Sequence, residues 1–208
     1  MSLPSGVERR TFGDESALAT RGAPVYGEPV VDGWRRWDTH RSKLGTMLDR
    51  DVDTGLQGGE TILYLGAASG TTVSHVADFA GPTYAVEFAP RPVRDLVHVA
   101  RARDRLFPLL KDARVPETYA HVVEPVDVLI QDVATRDQAA VAIVNRQFLR
   151  EDGRLIMAIK ARSEDVTRSP ESVFDDAVET LQRDYEIIER VSLEPHHEDH
   201  LGVVARPR

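Results

Sequence analysis

Cysteine is absent from this 208-residue chain. That excludes a disulfide framework, a thiol nucleophile and any thiolate metal site. No apolar run approaches the roughly 18–20 residues of a membrane-crossing helix, so no span is expected. Residues 1–14 carry charges with no apolar stretch behind them, so no secretory leader is expected and the cytoplasm is the expected location. Lysine is almost missing too: Lys43, Lys111 and Lys160 stand against 23 arginines. Acids outnumber bases by 34 to 26, a formal net charge of −8. A freestanding nonspecific nucleic-acid binder usually has a basic footprint, so this balance argues against one. Many acids with few lysines suit a salt-rich cytoplasm. In molar salt the Debye length is about 3 Å, so global repulsion counts for little and an RNA partner stays open. Where lysine is this scarce, each one invites a specific reason.

What is present fits an ordinary soluble core. Hydrophobic residues make up 41%, and the length suits one large domain or one domain with a small appendage. Residues 1–55 are near charge balance, hold both tryptophans and are broken by Pro4, Pro24, Pro29 and several glycines. They read as a small β-rich extension, with strands at 7–12 and 23–25, turns at Gly13 and Gly27, and a short helix over 41–48. From residue 56 the pattern alternates. Strands are expected at 61–65, 83–88, 106–110, 126–131 and 155–159. Helices are expected at 71–79, 90–103, 137–149 and 169–183, and a turn at 151–153. Such alternation predicts a mostly parallel sheet covered on both faces. Two last strands, 185–193 and 201–205, have no helix between them and should pair as a hairpin at one edge. The division expected is an extension over 1–55 and a main α/β domain over 56–208.

The first strand-to-helix turn carries chemistry. Gly66 allows a sharp turn and close approach of a ligand. Ser69, Gly70, Thr71 and Thr72 fall where a helix start exposes free N–H groups. The string is not GxGxxG and has no Gly-Lys-Ser/Thr, so the dinucleotide fingerprint and the P-loop both fail. Glu87 lies 21 residues beyond Gly66, at the end of the second strand, where a carboxylate can accept both ribose hydroxyls of a nucleoside. Asp112 follows the third strand, placed to face an adenine amino group, and Asp132 follows the fourth. All lie at carboxyl ends of parallel strands, where such sheets bind ligands.

Lys160 follows the strand at 155–159 and Asp132 its expected neighbour, so the two are expected within hydrogen-bond reach. A lysine serves as a base only when part of it is neutral, which burial or another cation favours. Lys43 supplies that cation if the first helix packs over the sheet's carboxyl edge. Asp132 would orient the ammonium and oppose the effect, which leaves the balance open. His196, His197 and His200 cluster with Glu198 and Asp199. The spacing is not HExxH and no remote fourth ligand stands out, so zinc is a weak reading. His200, just before the last strand, is best placed to reach the active end. His40 and His75 read as structural or surface residues.

At these residues the sequence closely resembles the archaeal fibrillarin family. The pieces are residues 25–28, 37–38 with 41–44, 63–76, 84–88, 112–114, 131–134 and 159–163, and the likeness covers nearly the whole chain. The resemblance implies a Rossmann-like, S-adenosyl-L-methionine-dependent methyltransferase fold with a seven-stranded sheet. It implies 2′-O-methylation of ribose in rRNA, and in some archaea tRNA, during pre-rRNA processing. By matching motifs, Gly66, Ala67, Thr71, Thr72, Glu87, Phe88, Asp112, Ala113, Asp132, Val133, Ala134 and Thr135 would bind the cofactor. Lys43, Asp132, Lys160 and His200 would form the catalytic constellation, with Lys160, oriented by Asp132, deprotonating the 2′-OH and no metal needed. The family commonly has Gln where Thr135 stands, and Gln138 is the nearby candidate to replace that contact. The family also implies a box C/D particle in which guide RNA selects the target. Its other members are a Nop5-type scaffold protein and a kink-turn-binding protein of the L7Ae type. Partners would then supply most RNA affinity, with Arg35, Arg36, Arg41 and Arg162 as local candidates for the RNA path. Two alternatives stay open: a small-molecule or protein methyltransferase on the same fold, and a scaffold-binding subunit without catalysis.

Overall fold

Four short antiparallel strands open the chain: β1 (Val7–Phe12), β2 (Glu15–Arg21), β3 (Val30–Val31) and β4 (Trp34–Trp37), in the order β1-β2-β4-β3. The computed structural model describes residues 3–208. The strand expected at 23–25 does not form. The Glu28 carboxylate accepts the N–H groups of Val25 (2.8 Å) and Tyr26 (2.7 Å), which takes those donors away from any ladder. The turn at Gly27, at φ +77°, stands as read. A short helix follows, α1 (Lys43–Asp49). Ser42 caps it, its Oγ accepting the Gly45 N–H at 3.0 Å.

The main sheet has seven strands: β5 (Ile62–Leu65), β6 (Thr83–Glu87), β7 (Leu106–Leu110), β8 (Val126–Gln131), β9 (Leu149–Lys160), β10 (Tyr185–Ser192) and β11 (His200–Pro207). Their order is β10-β11-β9-β8-β5-β6-β7. Strands β5 to β9 run parallel, and β11 is antiparallel to both β9 and β10, which gives the expected edge hairpin. The connecting helices are α2 (Thr71–Phe79), α3 (Pro90–Ala100), α4 (Gln138–Asn145), α5 (Ala161–Glu164) and α6 (Pro170–Leu181). The helix expected over 137–149 is shorter, because a 3-10 turn at Arg146–Phe148 leads straight into β9. The turn expected at 151–153 is a break in register inside β9. Val126 pairs with Leu149, but Val128 pairs with Arg154. Gly153 permits it, since a Cβ there would lie 2.8 Å from the Asp127 carbonyl oxygen.

Side chains on β5 are buried on both faces, as in a parallel sheet covered on two sides. Ile62 and Tyr64 join the core under α1, α2 and α3, while Leu63 and Leu65 join the core under α4 and α6. Val7, Leu18 and Trp37 of the extension belong to the first of these cores, so the extension and the main sheet share apolar packing. Trp37 stacks on His75 of α2, with ring centroids 4.7 Å apart.

A buried polar lock sits beside that stack. Arg35 is fully buried and donates to Asp78 (2.8 Å) and Glu28 (2.8 Å), and Arg103 donates to Asp78 at 3.0 Å. The Thr20 hydroxyl donates to Asp78 at 2.7 Å, so its oxygen accepts from His75 Nδ1–H at 2.8 Å. Burial pushes the Asp78 carboxyl upward, while both guanidiniums and the hydroxyl pull it back. Burial, then Arg35 and Arg103, drive His75 well below the ordinary imidazole range. Arg35 is therefore a structural cation and does not line an RNA path.

Candidate active site

The sheet changes direction at β5: β6 and β7 extend one way, β8 and β9 the other. Ligands bind such sheets at this switch point, outside the carboxyl ends of the strands. Gly66 leaves β5 at φ +83°, and a Cβ there would lie 2.2 Å from the carbonyl oxygen of Asp132, just beyond β8. Only glycine lets the two strand ends close on each other. Ala68 follows at φ +47°. Its N–H donates to Glu87 Oε2 at 3.0 Å, and the Ala89 N–H donates to Oε1 at 2.9 Å. The Glu87 carboxylate is thus oriented by one backbone donor on each oxygen, with lone pairs left over. Tyr26 of the extension donates its hydroxyl to the Ser69 carbonyl and so clasps the glycine turn.

A cavity of about 270 Å³ opens along these strand ends. Gly66, Glu87, Phe88, Asp112, Ala113, Asp132, Val133, Ala134 and Thr135 line it, as the sequence reading places them. Three expected residues do not. Ala67 is buried in the core. Thr72 is buried and turns its hydroxyl to Ser42 Oγ at 3.1 Å. Thr71, half-buried, begins α2, where the helix start exposes backbone N–H groups.

Sequence reasoning missed Lys111 and Arg114, which also line the cavity. Arg114 grips Asp112 through Nε, shared between Oδ1 at 3.0 Å and Oδ2 at 3.1 Å, and through Nη2 to Oδ2 at 2.6 Å. Its backbone N–H donates to Oδ1 at 2.9 Å. These bonds hold the Asp112 carboxyl below the usual carboxylate range. An aspartate two residues before its backbone donor is an Asx turn, a signal legible in the sequence.

Lys43, presented by the capped start of α1, donates from Nζ to Asp132 Oδ2 at 3.0 Å. The first helix does pack over the carboxyl edge. The expected pairing of Asp132 with Lys160 is not found: the aspartate's ion-pair partner is Lys43, and among the described residues Lys160 Nζ pairs with no carboxylate. Lys160 ends β9, in register with His200 at the start of β11. His200 Nδ1–H donates to the Glu198 carbonyl at 2.6 Å, which leaves Nε2 as an acceptor. Burial first, then Lys43 and Lys160, hold its imidazole below the ordinary value, while the Glu198 carbonyl and Asp132 pull the other way. The four residues expected to be catalytic thus fall into two adjacent pairs at the strand ends, Lys43 with Asp132 and Lys160 opposite His200.

Gln138 is not the cofactor contact considered to stand in at Thr135. It is fully buried, and both atoms of its amide bond the backbone of Lys160. Of the arginines considered for RNA, Arg36 pairs with Glu15 (2.7 Å) and Arg162 with Asp199 (2.7 Å). Arg41 is exposed, its guanidinium 5.7 Å from the Tyr26 ring centre.

Comparison with known proteins agrees with this geometry. The family model described as fibrillarin matches residues 8–208. A fibrillarin-like rRNA/tRNA 2′-O-methyltransferase of Haloarcula marismortui is 69% identical over 208 residues, covering 100% of this chain and 99% of that protein. The fibrillarin/Nop5p complex contains a chain 38% identical, with a TM-score of 0.92 and full coverage of both chains. Aeropyrum pernix fibrillarin, solved with natively bound S-adenosyl-L-methionine, is 43% identical with a TM-score of 0.84, covering 96% of this chain and 94% of that one. From its glycine turn to its lysine-bearing strand tip, this chain belongs to the fibrillarin family.

Proposed function

We propose that this chain transfers a methyl group from S-adenosyl-L-methionine to a ribose 2′-OH of rRNA or tRNA, as the catalytic subunit of a box C/D-type particle. One observation carries the reading. The Lys43–Asp132 pair stands at the edge of the strand-end cavity, and His200 lies across from Lys160 in register at the neighbouring strand ends. The donor set fits the cofactor. Glu87, with its oxygens pre-aimed, suits two ribose hydroxyls. The Phe88 ring is 69% exposed and offers a free face to a base. Asp112 and Ala113 border the adenine position, and Asp132 to Thr135 the methionine end. When bound, S-adenosyl-L-methionine supplies a methyl group on a sulfonium centre.

The chain's own residues do the rest. Asp132 holds Lys43 at the edge of the cavity. His200, at the start of β11 in register with Lys160, positions the ribose or its flanking backbone. Lys160, when neutral, takes the proton that leaves the 2′-oxygen. Placement supplies much of the rate, since orientation is worth several kcal/mol. The division proposed is the extension over 1–55, which clasps the glycine turn through Tyr26, and the methyltransferase domain over 56–208.

The partners proposed are guide RNA with its rRNA or tRNA target, a Nop5-type scaffold and an L7Ae-type kink-turn-binding protein, working in the cytoplasm. Among the described residues no helix is long and apolar enough to cross a membrane. With a net charge of −8, partners supply the RNA affinity and this chain recognises backbone shape and the 2′-OH. The test is Asp132→Ala in the assembled particle. Methyl transfer should fall about 100-fold, because Lys43 loses the carboxylate that holds it and a misplacement of about 1 Å costs about that much. Unchanged transfer would sink this assignment.

A further inference from the structure

We propose that Gln138 is the positioning residue for Lys160, an inference that rests on the reading of Lys160 above. Strand β9 outruns its parallel neighbour. The register of β8 on β9 ends where Gln131 meets Met157, so the tip of β9 at Lys160 has no strand on that side. On its other side β11 continues, with His200 opposite Lys160. Left alone, the Lys160 N–H and C=O on the open side would have no ladder partner.

Gln138 replaces the missing strand with one side chain. Its Oε1 accepts the Lys160 N–H at 3.0 Å, and its Nε2 donates to the Lys160 carbonyl at 3.0 Å. A primary amide can satisfy both groups of one residue because it carries an acceptor and a donor side by side. The clamp is itself held. Gln131 Nε2 donates to the Gln138 carbonyl at 2.8 Å, and Glu164 Oε1 accepts the Gln138 N–H at 2.6 Å. Glu164 Oε2 also accepts the Asp137 N–H at 2.7 Å, steadying Asp137 at φ +56°.

The consequence is specific to Lys160. Among the described residues its ammonium has no carboxylate to aim it, since Asp132 is paired with Lys43. What aims it is the backbone, and Gln138 fixes the backbone. A misplacement of about 1 Å at such a group can cost about 100-fold in rate.

The test uses the complete particle with a matched guide. Gln138→Leu should lower the single-turnover methylation rate at least tenfold. The Kd of the isolated protein for S-adenosyl-L-methionine should stay within twofold. The Lys160 amide should exchange its hydrogen faster than in the native protein. In a Lys160→Ala background the same substitution should cost less than twofold, because nothing is left to position. Gln138→Glu keeps the acceptor and loses the donor, so it should fall between native and Gln138→Leu, and it serves if the leucine variant does not fold. An unchanged rate, a raised Kd with a normal rate at saturating cofactor, or an equal loss with and without Lys160 would each overturn the proposal. If instead Lys160→Ala alone leaves the rate untouched, the underlying reading fails and not the clamp, whose amide protection would still be measurable.

Discussion

Glu87, proposed to take the ribose hydroxyls, has its carboxylate oriented by the fold alone. Ala68 and Ala89 fix both oxygens from the backbone, so little ordering is left to do on binding. Glu87→Ala should raise the Kd for S-adenosyl-L-methionine at least about tenfold, about 1.4 kcal/mol, measured by calorimetry. A Kd within twofold of native would remove Glu87 from the ribose site. His75 makes a prediction in pH. Its folded value lies well below the ordinary one, so between the two the unfolded chain binds the extra proton. Stability from this group is present above about pH 6.5 and is lost as pH falls below it, by at most about 1.4 kcal/mol per pH unit. His75→Gln should flatten the melting temperature against pH below 6.5. A slope equal to the native one would refute the assignment. Much at this scale was legible in the sequence, because Glu87, Asp112 and Asp132 stand at strand ends and spacing reveals strand ends. The partner of Asp132 was not. Lys43 and Lys160 are both lysines that fit the position, and only the packing of α1 decides between them.

Elements explain why some neighbours were readable and others not. The βα alternation and the last hairpin follow from hydrophobic period and turn residues, which are local. The failed strand at 23–25 was decided by Glu28, which captures two amides two and three residues back and is itself held by Arg35 of β4, a local side-chain capture that hydrophobic period does not register. The register break in β9 depends on the Asp127 carbonyl next to Gly153. Gly66→Ala tests the junction of β5 and β8. Its Cβ would meet the Asp132 carbonyl at 2.2 Å from a left-handed backbone, so the variant should lose cofactor binding together with several degrees of melting temperature. Native binding and stability would refute the close approach. Arg35→Leu tests the lock between extension and α2. It leaves Asp78 and Glu28 short of a buried guanidinium, and should cost about 3–5 kcal/mol in denaturant unfolding. A cost under about 1 kcal/mol would show that the lock is not holding the extension.

At the scale of the whole molecule, the extension and the main sheet share a core and meet at the glycine turn, so cofactor binding and the extension's folding should rise and fall together. The acidic surface sets the conditions for any assay. Self-repulsion from a net charge of −8 is screened as salt rises. The melting temperature should therefore climb between 0.1 M and 2 M potassium chloride, and a flat or falling trend would contradict this. On the proposed reading, partners supply RNA affinity and Lys43, Asp132, Lys160 and His200 the chemistry. The most direct measurement is methyl incorporation from labelled S-adenosyl-L-methionine into target RNA, at high salt, with the scaffold protein, the kink-turn binder and a matched or mismatched guide. The account predicts incorporation at one ribose 2′-OH, lost with the mismatched guide. No incorporation by the folded, assembled particle would contradict it.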